Sequence, residues 1–553
     1  MATTRTKMEK RIFKASALVL IAHILFKLAG FIQAQVMGRL LPPETFDVVY
    51  TFAFENGVFM LFLVSEEALA PAFLPLFMRL IDRGRIRRAW SFANTVLSTQ
   101  FVLLIVVALF FFFAPQWAVT ICTKWSSAKS PERFDLAAHS LKMLSPAIIG
   151  LSLGSTTYVL LNSYKRFFLA AFGDAVWKFC AVGFLVVGCF LSKDNAQMLA
   201  WGIVAGSVCK LATHLYGLRD KLGYFKVEFN FHHPFIKRLL WLMLPLLAGI
   251  LVAKVRDVSN NVYFLSSLEE SGLMQANTMG RKLQSTLHWL VPYTLSIAVF
   301  PFFCELVDKK NQAELGRLVT HFGRILLATF IPFALLIAVI SVPFTAFVFK
   351  GGFFDETAVH RTALALSFYT FVLPAGAIEA LTMQAFFANR RMWTVTLLGM
   401  FFSLTSILFS WAGFVYAGAN GVLLLCFIAG GFTLSRILKS FALTLFLKQS
   451  APVFPFKETW TFLIRITAAS VVAGLGAWLT LSRLTAWLIH PSVTTHIELA
   501  NRMGDLLKLG IASAVFVAIY LAATYALKIS EIHELYTLVK TQLFKLRNRK
   551  SAR

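Results

Sequence analysis

Long apolar runs separated by short polar segments recur along the whole chain. They lie at 13–38, 48–78, 89–119, 136–163, 167–192, 197–217, 237–264, 273–303, 319–349, 362–388, 393–416, 420–446, 460–488 and 506–527. One helical crossing of a bilayer takes about 20 consecutive apolar residues. The pattern therefore predicts an all-α polytopic membrane protein with about fourteen transmembrane helices.

Composition supports this interpretation and excludes an ordinary soluble domain. Hydrophobic residues make up 58% of the chain and charged residues 14%, and the mean hydropathy is +0.70. The six cysteines form no CxxC pair, which argues against a disulfide framework and against a metal site. No small-residue cleavage site follows the first run, so we expect it to be a retained span rather than a signal peptide.

The net charge of +26 is distributed unevenly between the connections. Basic residues concentrate in the N-terminus, the C-terminal tail and the even-numbered connections, including Arg83, Arg85, Arg87, Arg88, Lys309, Lys310, Arg436 and Lys439. Odd-numbered connections are poor in bases or acidic, as at Glu269 and Glu270. Because positive loops stay on the cytoplasmic side, we expect both termini in the cytoplasm. The same distribution accounts for the basic charge without a nucleic-acid partner.

A weak internal repeat relates the two halves of the chain. The segments 74–82 and 300–308 are similar, and so are 164–167 and 389–392, at nearly the same offset. Six predicted helices separate each pair, so the halves have the same orientation in the membrane. We predict two pseudo-symmetric six-helix lobes, 1–220 and 221–450, two extra transmembrane helices at 451–530, and a basic cytoplasmic tail at 531–553.

Charges inside the seventh predicted helix are the first sign of function. Lys254, Asp257 and Asn261 follow the spacing i, i+3, i+7 and share one helical face, so Lys254 and Asp257 can pair. Arg256 and Asn260 form a second row and leave one positive charge over. An intramembrane ion is costly, which favours a wet cavity that accepts an anion. The alternative is a helix end that emerges into the headgroups, where long basic side chains snorkel.

Three other predicted helices carry polar groups that could reach the same cavity. The candidates are Lys27 and Arg39 in the first helix, Asp47 in the second, and Arg281 and Lys282 in the eighth. Ion pairs that merely join the lobes are the structural alternative. The basic excess suits a phosphate, because arginine binds phosphate oxygens bidentately. A phosphorylated lipid would place its headgroup in this cavity and its tail in a groove built by the last two helices.

No catalytic motif is present: the chain has no HExxH, GxSxG or Walker-type loop. We therefore predict that the protein is not an enzyme and needs no cofactor. Without an ATP site, any transport would run on the membrane potential, an ion gradient or the substrate gradient.

Four segments resemble the MurJ (MviN) family of lipid II flippases, part of the superfamily that includes multidrug exporters and polysaccharide flippases. FKGGFFDE at 349–356 is similar to the family's F-x-x-G-x-F segment, and LNSYKRF at 161–167 is similar to its L-N-x-x-x-R-F connection. EEALAPAFLP at 66–75 is similar to E-G-A-x-x-x-A-F-x-P, and FFA at 386–388 with Thr394 resembles F-Y-A…T-P. The resemblance runs from the first to about the twelfth helix.

This resemblance implies export of undecaprenyl-diphosphate-linked lipid II from the inner to the outer leaflet of the bacterial cytoplasmic membrane by alternating access. Lipid II, membrane lipids and the division and wall-synthesis machinery are then the expected partners. Lys27 and Arg281 stand where the family has cavity arginines, and Asp47 matches an acidic position. Gln33 and Leu61 stand where two further arginines are expected. The family's sodium site is not carried over, because the eleventh helix offers only hydroxyl groups.

Two alternatives remain open. One is a flippase for another isoprenoid-linked saccharide, or a drug exporter, in the same superfamily. The other is a membrane scaffold of wall synthesis that transports nothing, which the missing arginines would suit. Loss of lipid II at the outer leaflet on depletion would separate the first interpretation from the scaffold.

Overall fold

The protein is predominantly helical in the part of the chain that the computed structural model describes, residues 28–191, 194–289, 292–488, 498–529 and 531–532. These residues form no β-strand, and one isolated bridge joins Gly351 to Phe354. The first predicted helix begins outside the described residues and continues as α1 over 28–40.

In the described part, 12 helices are long and apolar enough to cross a membrane. They contain α2 (Pro43–Asp82), α3 (Ile86–Phe113), α5 (Pro131–Ser163), α6 (Phe167–Phe190), α7 (Asn195–Gly217), α8 (Pro234–Ser267), α11 (Gln312–Val339), α13 (Glu356–Tyr369) with α14 (Val372–Ala388), α15 (Met392–Ala417), α16 (Gly421–Lys448), α17 (Phe456–Leu488) and α18 (Glu498–Ala526). The predicted fold class is confirmed, and the predicted count of about fourteen agrees approximately.

Three predicted helices are each broken into two. The third gives α3 and α4 (Pro115–Cys122), and Pro115 explains the break because its ring removes a backbone donor and restricts the preceding residue. The tenth gives α13 and α14, which are separated by Thr370 and Phe371. The described residues of the eighth form α9 (Leu273–Trp289) and α10 (Pro292–Asp308). The ninth gives α11 and α12 (Ser341–Phe349), which meet at Ile340.

The described residues form two compact units, one within 1–275 together with 351–354, and the other within 276–350 and 355–553. In the first unit, α5, α6 and α7 pack against one another. Gly206 allows α7 to approach α6 closely, because a Cβ atom there would lie 2.6 Å from the carbonyl oxygen of Trp177. A separate aromatic core joins α2 to α3, where Phe73 stacks on Phe92 with ring centres 5.1 Å apart.

In the second unit, α14, α15 and α16 repeat this pairwise packing. The last two helices attach to it: α17 packs against α11, and α18 packs against α12 and α17. The hydroxyl of Tyr520 in α18 donates a 2.6 Å hydrogen bond to the carbonyl oxygen of Ala328 in α11. The predicted lobe boundary at 220 follows the sequence repeat and stays a prediction.

Matching turns support the internal repeat. Gly84 and Lys310 have φ angles of 70° and 56°, and Lys165 and Arg390 each have a φ of 60°. In each turn this residue donates its amide to the carbonyl three positions back, and the next residue donates to the carbonyl five positions back. The turns recur at the offset of the sequence similarity, so each unit contains the same pair of helix ends.

Candidate functional site

The charges of α8 pair differently from the prediction. The guanidinium of Arg256 donates to the carboxylate of Asp257 from Nε at 3.1 Å and from Nη2 at 2.8 Å. The Nζ atom of Lys254 lies 3.4 Å from Oε1 of Glu67 in α2. The predicted pairing of Lys254 with Asp257 is therefore wrong. Arg256 is 8% exposed, and its ion pair with Asp257 largely neutralises its charge.

Beyond these charges, a change of helix type alters the positions of Asn260 and Asn261. The regular helix of α8 ends at Val258, and Ser259–Tyr263 form a turn of π-helix. A π turn holds more residues than an α turn, so positions beyond it rotate away from the predicted face. Asn260 is 2% exposed within this turn, and Asn261 is half-buried. Lys254 and Asn261 consequently do not share the regular i, i+7 relation.

Asp47 binds the backbone at the start of α9. Its two carboxylate oxygens accept hydrogen bonds of 2.7 Å from the amides of Gly272 and Gln275. These amides have no partner inside their own helix, and a carboxylate is favoured at a helix N-terminus. Nearby, Arg133 binds Glu44 at 2.9 Å and stabilises the start of α2. Asp47 thus has a structural role in this unit, and its predicted contact with substrate stays untested.

Arg39 lies near the end of α1, where the glycine-rich segment of the sequence contacts it. The amide of Phe353 donates to the carbonyl oxygen of Arg39 at 2.9 Å. Gly352 has a φ of 58°, and a Cβ atom there would lie 2.2 Å from the same oxygen. The segment FKGGFFDE therefore supports the end of α1, and Arg39 is half-buried. Lys27, the other candidate of the first helix, lies outside the described residues.

Arg281 and Lys282 belong to α9 in the second unit, where both are half-buried. The guanidinium carbon of Arg281 lies 4.9 Å from the ring centre of Phe432 in α16. The guanidinium carbon of Arg436 lies 5.6 Å from the same ring. Phe432 thus brings the two arginines of different helices to one place.

Arg436 and Lys439 were expected in a cytoplasmic connection, and this expectation is wrong. Both lie within α16 and bind Glu379 of α14. Nη1 of Arg436 donates to the two carboxylate oxygens at 2.9 and 3.0 Å, and Nζ of Lys439 donates at 2.6 Å. Glu379 was missed because a single acid in an apolar run gives no periodic signal. The presence of two bases inside a continuous apolar run was the usable clue.

A second buried polar group, in the first unit, was also missed. Nζ of Lys210 in α7 lies 2.5 Å from Asp174 in α6 and 4.2 Å from the centre of the Phe62 ring. Lys178 and His214 are buried one turn further along the same two helices. The spacing i, i+4 of Asp174 with Lys178 and of Lys210 with His214 could have indicated this group.

Outside the spans, Arg166 connects the start of α6 to the end of α7. Its guanidinium donates to the two carboxylate oxygens of Asp220 at 2.6 and 2.8 Å and also contacts the carbonyl of Gly217. These hydrogen bonds lower the pKa of Asp220 to about 2. Arg166 belongs to the family-like LNSYKRF segment, so that segment has a structural role here.

The described residues contain no group of three or more His, Cys, Asp or Glu side chains placed to hold a metal ion. Apart from the Arg166–Asp220 pair, the ion pairs described above lie within helices. What they offer chemically is a set of basic side chains that could bind an anion, with Arg281 and Lys282 in α9 and Arg436 and Lys439 in α16 of the second unit.

The family model described as "Lipid II flippase MurJ" matches residues 34–498. The chain is 23% identical to "Lipid II flippase MurJ" of Burkholderia cenocepacia, over 84% of this chain and 90% of that protein. It is 21% identical to "Probable lipid II flippase MurJ" of Buchnera aphidicola subsp. Acyrthosiphon pisum, over 89% and 93%.

Solved structures share the fold. "Lipid II flippase MurJ, inward closed conformation" aligns with a TM-score of 0.69 at 18% identity and covers 92% of this chain and 99% of its own. An inward-facing multidrug resistance MATE family transporter of the MOP superfamily aligns with a TM-score of 0.63 at 13% identity, over 77% and 94%.

Proposed function

Because the chain belongs to the MurJ family of lipid II flippases, we propose that it moves lipid II from the inner to the outer leaflet of the bacterial cytoplasmic membrane. The observation that carries this proposal is the match of the family model across residues 34–498. The helices that could span a membrane fit a multi-pass transporter. Lipid II supplies the undecaprenyl diphosphate that the basic side chains would bind.

Cationic groups inside the helices support an anionic substrate. Arg436 and Lys439 lie in the apolar helix α16, where both bind Glu379, and Arg281 lies in the amphipathic helix α9 of the same unit. Each ion at mid-membrane costs about 2.5–3.5 kcal/mol on insertion scales. A protein that keeps several such cations must recover this cost, and a phosphate-bearing substrate would do so. The paired Arg256 contributes less, since Asp257 already neutralises it.

The chain would transport lipid II without converting it chemically and without a cofactor. The membrane potential or an ion gradient would drive this transport. Both termini would face the cytoplasm, as the distribution of basic residues predicts. Ionophores can collapse the membrane potential, the proton gradient or the sodium gradient separately. The treatment that abolishes transport identifies the driving force.

The test uses bacteria depleted of their own lipid II flippase and supplied with this chain. Lipid II at the outer leaflet is measured by its accessibility to an externally added degrading enzyme. The wild-type chain should restore accessibility, and Arg281→Ala should lower it at least about tenfold because a phosphate contact is lost. Arg317→Ala, at an exposed helix end, is the matched control and should retain activity.

The outcomes separate the alternatives. A chain that fails to restore lipid II accessibility, and whose depletion from its own cells makes another isoprenoid-linked saccharide accumulate, would be a flippase of different substrate. A chain whose depletion from its own cells impairs wall assembly but leaves lipid II accessibility unchanged would be a scaffold. Full activity of Arg281→Ala at normal expression would remove the cationic site from the proposal.

A further inference from the structure

A buried cluster of three charges joins α14 to α16 in the second unit. The Glu379 carboxylate binds Arg436 and Lys439 together, and the Glu379 and Lys439 side chains are 10% and 12% exposed. Two cations share one carboxylate, so ion pairing within this cluster leaves one positive charge in excess.

The cluster lies too far from the helix end for its cations to reach water by extension. Lys439 precedes Lys448, the last residue of α16, by nine positions, roughly 14 Å along the helix axis at the rise of an α-helix. This distance exceeds the reach of a lysine or arginine side chain that snorkels. An excess charge at this depth is costly and indicates a function.

Arg436 also retains an unused donor. Its Nη1 atom is bound to Glu379, but its Nε atom is buried and has no hydrogen-bond partner among the described residues. Buried donors are nearly always paired in proteins. The Arg436 side chain as a whole is 31% exposed. An incoming oxyanion could therefore reach this side chain without displacing the helices, and a rotation of the guanidinium would present its Nε donor.

A purely structural ion pair does not explain this arrangement. Holding α14 to α16 requires one cation for the carboxylate, and Lys439, which is 12% exposed and shares that carboxylate with Arg436, adds a desolvation cost. The cluster has the composition of an anion site that is occupied by the protein's own carboxylate. A phosphate group carries more negative charge and more acceptor oxygens than a carboxylate, so it can compete for both cations.

We propose that Arg436 and Lys439 bind a phosphate of the substrate's isoprenyl diphosphate, and that Glu379 holds the two cations between substrate molecules. This inference rests on the proposed function and adds a second contact to the one expected of Arg281. Phe432 connects the two, since both guanidinium groups lie on its ring. No bond is made or broken; the diphosphate exchanges with a carboxylate as the partner of the same cations.

Binding to the purified full-length chain in nanodiscs tests the site, with undecaprenyl diphosphate lacking the sugar as the probe. Lys439→Gln leaves Arg436 and Glu379 as a balanced pair, and Arg436→Gln leaves Lys439 and Glu379 balanced. Each should raise the Kd about tenfold through loss of a charge-assisted hydrogen bond. Lys448→Gln, at the exposed end of the same helix, should leave the Kd unchanged.

Glu379→Gln separates a binding site from a structural ion pair. Removing the resident carboxylate should lower the Kd for the diphosphate, provided that the variant remains monodisperse. Arg436→Lys should restore less than half of the lost binding energy of Arg436→Gln, because lysine lacks the planar fork. An unchanged Kd in Lys439→Gln and Arg436→Gln, with lower thermal stability only, would overturn the inference.

Two further experiments identify which phosphate compound binds and test this inference separately from the proposed function. Phosphatidylglycerol or inorganic pyrophosphate that displaces the probe at equal concentration would overturn the assignment to the isoprenyl substrate. If the wild type transports lipid II but Lys439→Gln does not change the Kd, this inference is wrong and the proposed function is retained. If Lys439→Gln raises the Kd but the wild type does not transport lipid II, the proposed function is wrong and the phosphate site is retained.

Discussion

At the scale of single residues, several charged side chains are buried within the apolar helices. Arg256 with Asp257, Lys210 with Asp174, and Glu379 with its two cations all lie within apolar helices. Removing one partner of such a pair leaves an unpaired buried charge at a cost of about 3–5 kcal/mol. Substitutions that keep each pair balanced are therefore needed to separate function from folding.

An exposed pair outside the spans gives a prediction on pH. Arg166 depresses the pKa of Asp220 to about 2, well below its usual value near 4. A carboxyl group with a depressed folded-state pKa stabilises the protein above the unfolded pKa, and this contribution disappears as the pH falls through the folded pKa. We expect the wild type to melt above Asp220→Asn at pH 5 and the difference to vanish between about pH 4 and pH 2.

Thermal melts of the two proteins in detergent measure this difference. Asp135→Asn, an exposed acid at the start of α5, is the control and should show no such convergence. A difference between wild type and Asp220→Asn that stays constant down to pH 2 would contradict the role of the Arg166–Asp220 pair.

The sequence predicts residues of this kind only in part. It located Arg256, Asp257 and Asn260 in one polar stretch, but it did not predict that Asp257 pairs with Arg256 or that Asn260 lies in a π turn. It missed Glu379 and Asp174, because one acid within an apolar run has no periodicity. Charge pairing between helices distant in sequence depends on tertiary packing, which a single sequence does not reveal.

At the scale of elements, the lengths of the apolar runs predicted where the helices lie but not where they are broken. Twelve of the fourteen predicted spans correspond to helices of the described chain that could cross a membrane. The breaks at Ala114 and Ile340, and the π-helix of α2 over Phe46–Val58, change hydrogen bonding without changing hydropathy. The repeat was predicted from two short strings, and the turns at Gly84 and Lys310 support it.

Two glycines of the first unit give a prediction on element junctions. Gly84 and Gly352 both have positive φ angles, of 70° and 58°. A Cβ atom at Gly84 meets nothing within 4 Å, whereas at Gly352 it would collide with the carbonyl of Arg39. Gly84→Ala should cost about 1–2 kcal/mol from the left-handed backbone alone. Gly352→Ala should cost more, because the end of α1 must also move.

Chemical denaturation of the two variants in the same detergent compares these costs. Equal stabilities would mean that the FKGGFFDE segment does not support the end of α1. The larger loss in Gly352→Ala is expected to come with weaker transport, since Arg39 lies at this junction.

At the scale of the whole molecule, family membership and intramembrane charge lead to the same function. The family gives the substrate class, and the basic excess near Arg281 and Arg436 explains how its diphosphate could be held in an apolar environment. The expected arginines at Gln33 and Leu61 are absent from this sequence. The cations of α16 supply positive charge that the resemblance alone did not predict.

Transport of lipid II by the purified chain in proteoliposomes tests this account most directly. Lipid II is loaded in the inner leaflet, a membrane potential is imposed, and its arrival outside is followed with an impermeant lipid II ligand. Wild-type protein should expose lipid II faster than empty vesicles, while phosphatidylcholine stays in its leaflet and Arg281→Ala is slow. Exposure at the rate of empty vesicles, with folded protein and a maintained potential, would contradict the account.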